Sequence, residues 1–268
     1  MDKLKEESPL KEELLPLPGD YSRNELDDLL SGRFFPVIAV ATMAAGFAVL
    51  EWLSFLLHEP RHPWLATIAA FLIGLGAFLY SKKVRKMAHN HRLGYEGEVF
   101  VGQILEGLRV KGIVPIHNVP CEIGGKRFNI DHVLVGPKGV FAVETKARKH
   151  IGTNESIDYK NGRLLIGKSY DSSNAIRQIK SNAKYLSDLL GYTGEKMWVY
   201  PVLLFPSWFV KPSATAAVEN EHEILMLNPK AFGKWIDPRP DILRREQIDQ
   251  VVMVISKYVH DEISKRDN

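Results

Sequence analysis

The chain has 268 residues, with 35 Lys and Arg against 32 Asp and Glu and a formal net charge of +3. That near-balance permits a nucleic-acid partner without requiring one, and the length suits one soluble domain with attachments. The single cysteine, Cys121, excludes an intrachain disulfide framework and any multi-cysteine zinc site.

Residues 1–33 are acidic and punctuated by proline ("EESPLKEELLPLPGD"), which predicts a mobile cytoplasmic tail. Within it Ser22 and Glu25 have capping-box spacing, so a short helix is expected to begin there. Residues 34–80 are the next segment. "FFPVIAVATMAAGFAVLEWLSFLL" is long enough to cross a bilayer, and "WLATIAAFLIGLGAFLY" reaches the lower limit for a span. Trp52, Trp64 and Tyr80 fall near the ends, where amphipathic rings favour the headgroup zone. Gly74 and Gly76 are poor choices in a soluble helix and ordinary in a membrane one. Two buried helices of a soluble core would show more of a polar face. A cleaved signal peptide would not have a long polar stretch before it and a second apolar run after it. The reading is a transmembrane helical hairpin, with Glu51 at the outer interface of the first span or facing its partner helix.

Residues 81–93 form a basic juxtamembrane linker, "SKKVRKMAHNHR" and Leu93, whereas the loop between the spans holds one fixed cation, Arg61. The Lys and Arg bias puts both termini and the C-terminal domain on the cytoplasmic side of the cell (inner) membrane. The lipid bilayer is thus one expected partner. Two closely spaced spans also allow a homo-oligomer through the hairpin.

Residues 94–210 have the composition of a globular domain. Val99, Val101, Ile104, Leu105 and Leu108 recur at helical spacing, and "GIVPIHNV" predicts a strand. "KRFNIDHVLVGPKGVFAVETKA" predicts two strands joined by a Gly-Pro-Lys-Gly turn. Weaker strands follow in "SIDYKNGRLLIG", then a helix over about residues 174–190 and a strand in "MWVYPVLLF". Residues 211–268 are read as a C-terminal extension whose amphipathic helix packs on the domain. The acids of "ENEHEILMLNP" within it are read as surface. The fold class is α/β, a mixed sheet flanked by helices and preceded by two transmembrane helices.

The period-two geometry of a strand puts Glu144 and Lys146 on one face. In the preceding strand it groups Phe128, Ile130, His132 and Leu134 on one face and Asn129 and Asp131 on the other. Pairing across the turn brings Asp131 towards Glu144. Two close carboxylates call for a proton or a cation, and hard oxygen ligands suit Mg²⁺ or Mn²⁺. A lysine beside them can orient water or offset charge on phosphate. From this spacing alone a structural Glu144–Lys146 ion pair remains open. His132 is expected to be a hydrogen-bonded core residue on the opposite face. His117 and His150 are too scattered to define a zinc site, and Thr145 is expected to tolerate substitution.

"GYEGE", "FNIDHVLVGPKGVFAVETK" and "NAIRQIKSNAKYL", in that order, resemble the nuclease-related domain (NERD) family of the PD-(D/E)xK nuclease superfamily. The resemblance covers roughly residues 94–205 and implies a restriction-endonuclease-like sheet with its active centre on the central hairpin. It implies that Asp131 and Glu144 bind metal and that Lys146 is the active-site lysine. Glu98 would support the metal or its water, and Gln178 would position substrate or water. Asn182 and Tyr185, one and two turns on, are candidate nucleic-acid contacts, as are Arg148, Lys149 and Lys126, with Arg127 and Lys138 on the same expected surface. Ile130 stands where the superfamily's nickname has proline. The resulting expectation is a membrane-anchored, Mg²⁺- or Mn²⁺-dependent nuclease acting on DNA. The alternative is a non-catalytic nucleic-acid-binding or partner-recruiting membrane protein that keeps the fold.

Overall fold

The computed structural model describes residues 16–57, 62–149, 156–160, 163–170, 174–191, 197–211 and 224–267. The chain divides into two compact units. One is Tyr21–Tyr95; the other joins Met1–Asp20 to Glu96–Asn268.

The first unit is helical. Helix α1 (Asp20–Leu29) passes through a π turn (Leu30–Phe34) into α2 (Phe35–Leu56), and α3 (Pro63–Glu106) begins after the loop. Two helices here are long and apolar enough to cross a membrane, and their most apolar stretches are only 6% and 11% buried. A core helix of a soluble protein would hide that face. Trp52 Nε1 donates to Thr67 Oγ1 at 2.8 Å between the helices, and the Thr67 and Thr42 hydroxyls donate to Pro63 O and Ile38 O within their own helices. Polar groups in an apolar surrounding need such internal partners. Glu51 is half-buried in α2.

One expectation for this region is corrected. The helix starts at Asp20, so Ser22 lies inside it and is not its cap; the Asp20 carboxylate instead accepts from Leu17 N at 2.6 Å. Residues 20–33 are helical, while residues 1–15 lie outside those described. The basic segment 81–93 is likewise a continuous part of α3. Its Lys, Arg, Met and Ala are good helix formers, and no proline interrupts them.

The second unit is built on a five-stranded mixed sheet of order β1-β2-β3-β7-β9. Strands β1 (Val114–Ile123), β2 (Lys126–Gly136) and β3 (Gly139–Thr145) are antiparallel; β7 (Val199–Leu204) and β9 (Leu225–Leu227) add in parallel. A smaller sheet runs β6-β5-β4-β8, from β4 (Ser156–Lys160), β5 (Arg163–Ile166), β6 (Ser169–Tyr170) and β8 (Phe209–Val210). Helix α4 (Ala175–Gly191) makes the crossover from β3 to β7; α5 (Pro229–Ile236) and α6 (Arg245–Asp267) follow β9. This is the mixed α/β class read from the sequence, with helices flanking the sheet.

Alternating strand residues feed two cores. Val140 and Ala142 of β3 pack with Ile179, Ala183 and Leu186 of α4 and with Val251, Ile255 and Val259 of α6. Phe141 and Val143 pack with Val101 and Leu105 of α3 and with Phe232 and Ile236 of α5. Gly139, at φ 119°, closes the β2–β3 turn opposite Gly136, and Tyr200 stands 3.1 Å from where a Cβ would be. That turn sets the register, and every face assignment below depends on it.

The apolar part of "ENEHEILMLNP" is interior. Leu225, Met226 and Leu227 pair with Val202, Leu203 and Leu204 and are buried. Three apolar residues make no periodic signal by themselves; only the open edge of β7 gives them a strand to join. The acids Glu219, Glu221 and Glu223 lie outside the described residues.

Candidate active site

The candidate site lies at the end of β3. Glu144 faces α4, and its side chain is 4% exposed. Lys146 N bonds Leu204 O at 2.9 Å, so the parallel ladder with β7 continues one residue past the strand and Lys146 keeps the face of Glu144. Its ammonium lies 2.7 Å from Glu144 Oε1 and 3.0 Å from Gln178 Oε1. Asn182, one helical turn beyond Gln178, donates from Nδ2 to Glu144 Oε2 at 3.2 Å. Both carboxylate oxygens are thereby engaged, and α4 holds Glu144 and Lys146 in fixed rotamers.

Asp131 joins this group from β2. Its Oδ2 accepts from Thr145 N at 2.7 Å. Strict alternation, which would group Ile130 with His132 and Leu134, fails here. Ile130 shares a core cluster with Val133 and Val135, while Leu134 belongs to the other. The pairing of β1 with β2 skips Asn118 and Asp131, and Asn118 sits at φ 49°. Such local irregularities re-aim side chains beside functional sites. Asp131 thus keeps the face of Val133, towards Glu144, while the strand turns beyond it.

Burial raises the Glu144 carboxyl above its ordinary range, opposed by Lys146, Asn182 and Gln178. Asp131 is pushed well above its range, first by burial and then by the charges of Glu144 and Glu98; the Thr145 amide and Lys146 oppose this. Glu98, half-buried on α3, therefore lies within electrostatic reach of Asp131. Its neighbour Gly97 explains how. A Cβ on Gly97 would stand 2.5 Å from Ala147 Cβ, so only glycine lets the helix approach the end of β3 this closely. Gly97→Ala is expected to lower the melting temperature by an amount equivalent to about 1–3 kcal/mol. The same forced shift should carry Glu98 away from Asp131.

The other sequence candidates are placed as follows. Arg148 and Lys149 are exposed just after Lys146. Lys126 is exposed at the start of β2, at the far end of the strand from the turn. Arg127 pairs with Glu122 at 3.4 Å and Lys138 with Asp241 at 2.9 Å. Asn182 is 2% exposed and serves Glu144. Tyr185 is half-buried, its ring edge-on to Phe128 and its hydroxyl 2.8 Å from that of Tyr258. Asn182 is therefore interior, whereas Tyr185 keeps part of its surface exposed.

Sequence reasoning missed three things. His117 has a neighbour that its spacing does not reveal: its Nδ1 lies 2.8 Å from Nδ1 of His132, which is fully buried as expected. His150 lies outside the described residues. Thr145 faces away from Glu144 as read, but it is 8% exposed, its amide anchors Asp131 and its hydroxyl lies 3.3 Å from His132 Nε2. The expectation that it tolerates substitution is not what this environment supports. Gly97 was quoted within a motif without a packing reason.

Among the described residues no three His, Cys, Asp or Glu side chains form a ready metal cage. The donor set still fits Mg²⁺ or Mn²⁺. Mg²⁺ is commonly held by one or two carboxylates with water and substrate phosphate, and Asp131 and Glu144 are two hard-oxygen ligands whose mutual repulsion a cation would relieve.

A buried carboxylate pair with a lysine thus stands at the end of a central strand of a mixed α/β domain, overlaid by a polar helix face. Residues 93–206 match the family model of the nuclease-related domain (NERD). No curated protein and no solved structure matches the chain. β9, α5 and α6 lie beyond the matched residues but in the same compact unit.

Proposed function

We propose that this protein is a membrane-anchored, Mg²⁺- or Mn²⁺-dependent nuclease that hydrolyses phosphodiester bonds of DNA at the cytoplasmic face of the inner membrane. One observation carries the reading: Glu144, almost wholly buried, is clamped between Lys146 and Asn182 beside a second carboxylate, Asp131. As a structural device this is a poor one, since buried ion pairs are often replaceable by apolar residues at no loss of stability. Strongly perturbed carboxyls with specific partners are instead typical of functional sites.

Asp131 and Glu144, with Glu98 in support, would hold the cation. When bound, such a cation supplies Lewis-acid stabilisation of charge on phosphate and favours ionisation of water. Lys146 has three ammonium donors, of which Glu144 and Gln178 take two. The third is suited to a water or phosphate oxygen, where it orients the nucleophile or offsets developing charge. Gln178 fixes that ammonium. Arg148, Lys149 and Lys126 would meet the DNA backbone, giving salt-dependent and sequence-independent affinity. Lys82, Lys83, Arg85, Lys86 and Arg92 follow the second apolar run within α3, against Arg61 between the two runs, and this supports cytoplasmic termini. The uncovered apolar faces of the hairpin suit lipid and a second copy of the hairpin.

The test uses the full chain in lipid nanodiscs with labelled single-stranded, double-stranded and branched DNA. Cleavage with Mg²⁺ or Mn²⁺ is expected for wild type and is expected to be lost with chelator and in Glu144→Gln. DNA binding without cleavage, unchanged by that substitution, would establish the non-catalytic alternative.

A further inference from the structure

We infer that Thr145 is a positioning residue for Asp131, held in place by a hydrogen-bonded chain that runs through His132 and His117 to Glu106 on the opposite side of the sheet. The inference rests on the metal-dependent reading above. Asp131 lies where β2 departs from regular alternation, so the pleat alone does not aim its side chain. The Thr145 amide does, at 2.7 Å. The Thr145 hydroxyl points the other way, 3.3 Å from His132 Nε2. His132 Nδ1 is 2.8 Å from His117 Nδ1, and His117 Nε2 is 3.0 Å from Glu106 Oε1.

The direction of this chain follows from its outer end. Arg109 donates to both Glu106 oxygens, at 2.5 and 3.1 Å, which keeps that carboxyl below its usual range and ionised. An ionised carboxylate only accepts, so His117 Nε2 must be the donor to it. Burial holds the His117 imidazole below its ordinary pKa, although Glu106 opposes this, so the neutral ring has only one N–H. Its Nδ1 must then accept, from His132 Nδ1–H. That leaves His132 Nε2 as an acceptor, and Thr145 Oγ1–H as its donor. Each ring nitrogen in this interior then has a partner, and reversal would set two lone pairs face to face. The carboxylate at one end thus dictates the hydroxyl orientation at the other, and with it the rotamer of the residue whose amide holds Asp131.

The experiment reads tautomers and cation affinity on the full chain in nanodiscs, without nucleic acid. Imidazole ¹⁵N spectra should show His132 protonated at Nδ1 and His117 at Nε2. Mn²⁺ titration should show Thr145→Val weakened about tenfold, as for other residues that orient ligands, and Thr145→Ser restored to wild type. Should the valine variant fail to fold, Glu106→Gln provides the second arm. An amide can donate or accept, so His117 should then populate both tautomers. The opposite tautomers in wild type, unchanged tautomers in Glu106→Gln, or equal Mn²⁺ affinity in wild type and Thr145→Val would each overturn the inference. A wild type that binds no Mn²⁺ would instead overturn the catalytic reading, and the role of Thr145 with it.

Discussion

Replacing Lys146 by methionine is expected to reduce DNA cleavage by about 10²–10³-fold or more, the scale seen when a single charge-stabilising donor is removed from an active site. The side chain keeps its length, so packing changes little, and the loss falls on the ammonium. Stability should fall too. Lys146 is the cation that compensates Glu144, whose side chain is 4% exposed, and removing one partner of a buried pair costs about 3 kcal/mol. The penalty depends on pH in a defined sense. The folded-state pKa of Glu144 is already raised by burial, and loss of Lys146 raises it further. A carboxyl raised in this way favours the fold most below its unfolded pKa, and that contribution disappears as pH rises through the folded value. The gap in melting temperature between wild type and Lys146→Met should therefore widen from acidic to neutral pH. Melting curves followed by circular dichroism would show it. A gap that stays flat with pH, or a variant that cleaves as well as wild type, would remove Lys146 from the site as drawn.

Asp131→Asn should separate stability from activity in the opposite direction. Asparagine is isosteric, and its carbonyl can still accept from Thr145 N. It removes a buried charge that Glu144 and Glu98 both repel. Cation-free protein is expected to gain on the order of 1 kcal/mol at neutral pH, within the range for relieving a strained functional position. The sign follows as for Glu144. With the Asp131 pKa well above its ordinary value, wild type recovers stability as pH falls and the carboxyl takes up its proton, so the advantage of asparagine should shrink on acidification. Saturating Mg²⁺ should stabilise wild type and leave the variant unmoved, reversing their order. Cleavage should be lost. A variant that melts below wild type without cation at neutral pH would mean that Asp131 is a structural ion-pair partner and not a poised ligand.

Much of this site was legible in the sequence because it depends on local geometry. The pairing of Glu144 with Lys146 follows from a period of two, and the approach of Asp131 follows from a four-residue Gly-Pro-Lys-Gly turn that fixes the register Gly136↔Gly139. Gln178 came from the ordered motifs of the resemblance, and α4 does carry it to Lys146. The two apolar runs were legible for a simpler reason, since length and composition alone mark a helix that can span a bilayer.

Other features depend on residues far apart in the chain. The burial of Asn182 against Glu144 requires α4 to lie on β3, and no spacing within the helix reveals that. His117 and His132 meet because β1 and β2 pair in one register, and that pairing turns two unremarkable histidines into neighbours at 2.8 Å. The face of Ile130 was misread because a departure from regular pleating at Asn118 and Asp131 leaves no mark in an alternation pattern. Leu225–Leu227 became a strand only because β7 offered an unpaired edge. By itself, then, the sequence determined most of the elements and the shared face of Glu144 and Lys146, consequences of short-range backbone periodicity, and the family resemblance pointed to Asp131 as the third member of a candidate triplet. The tertiary structure decided which side chains hold that triplet in place, because burial and long-range hydrogen bonding exist only once the layers have packed.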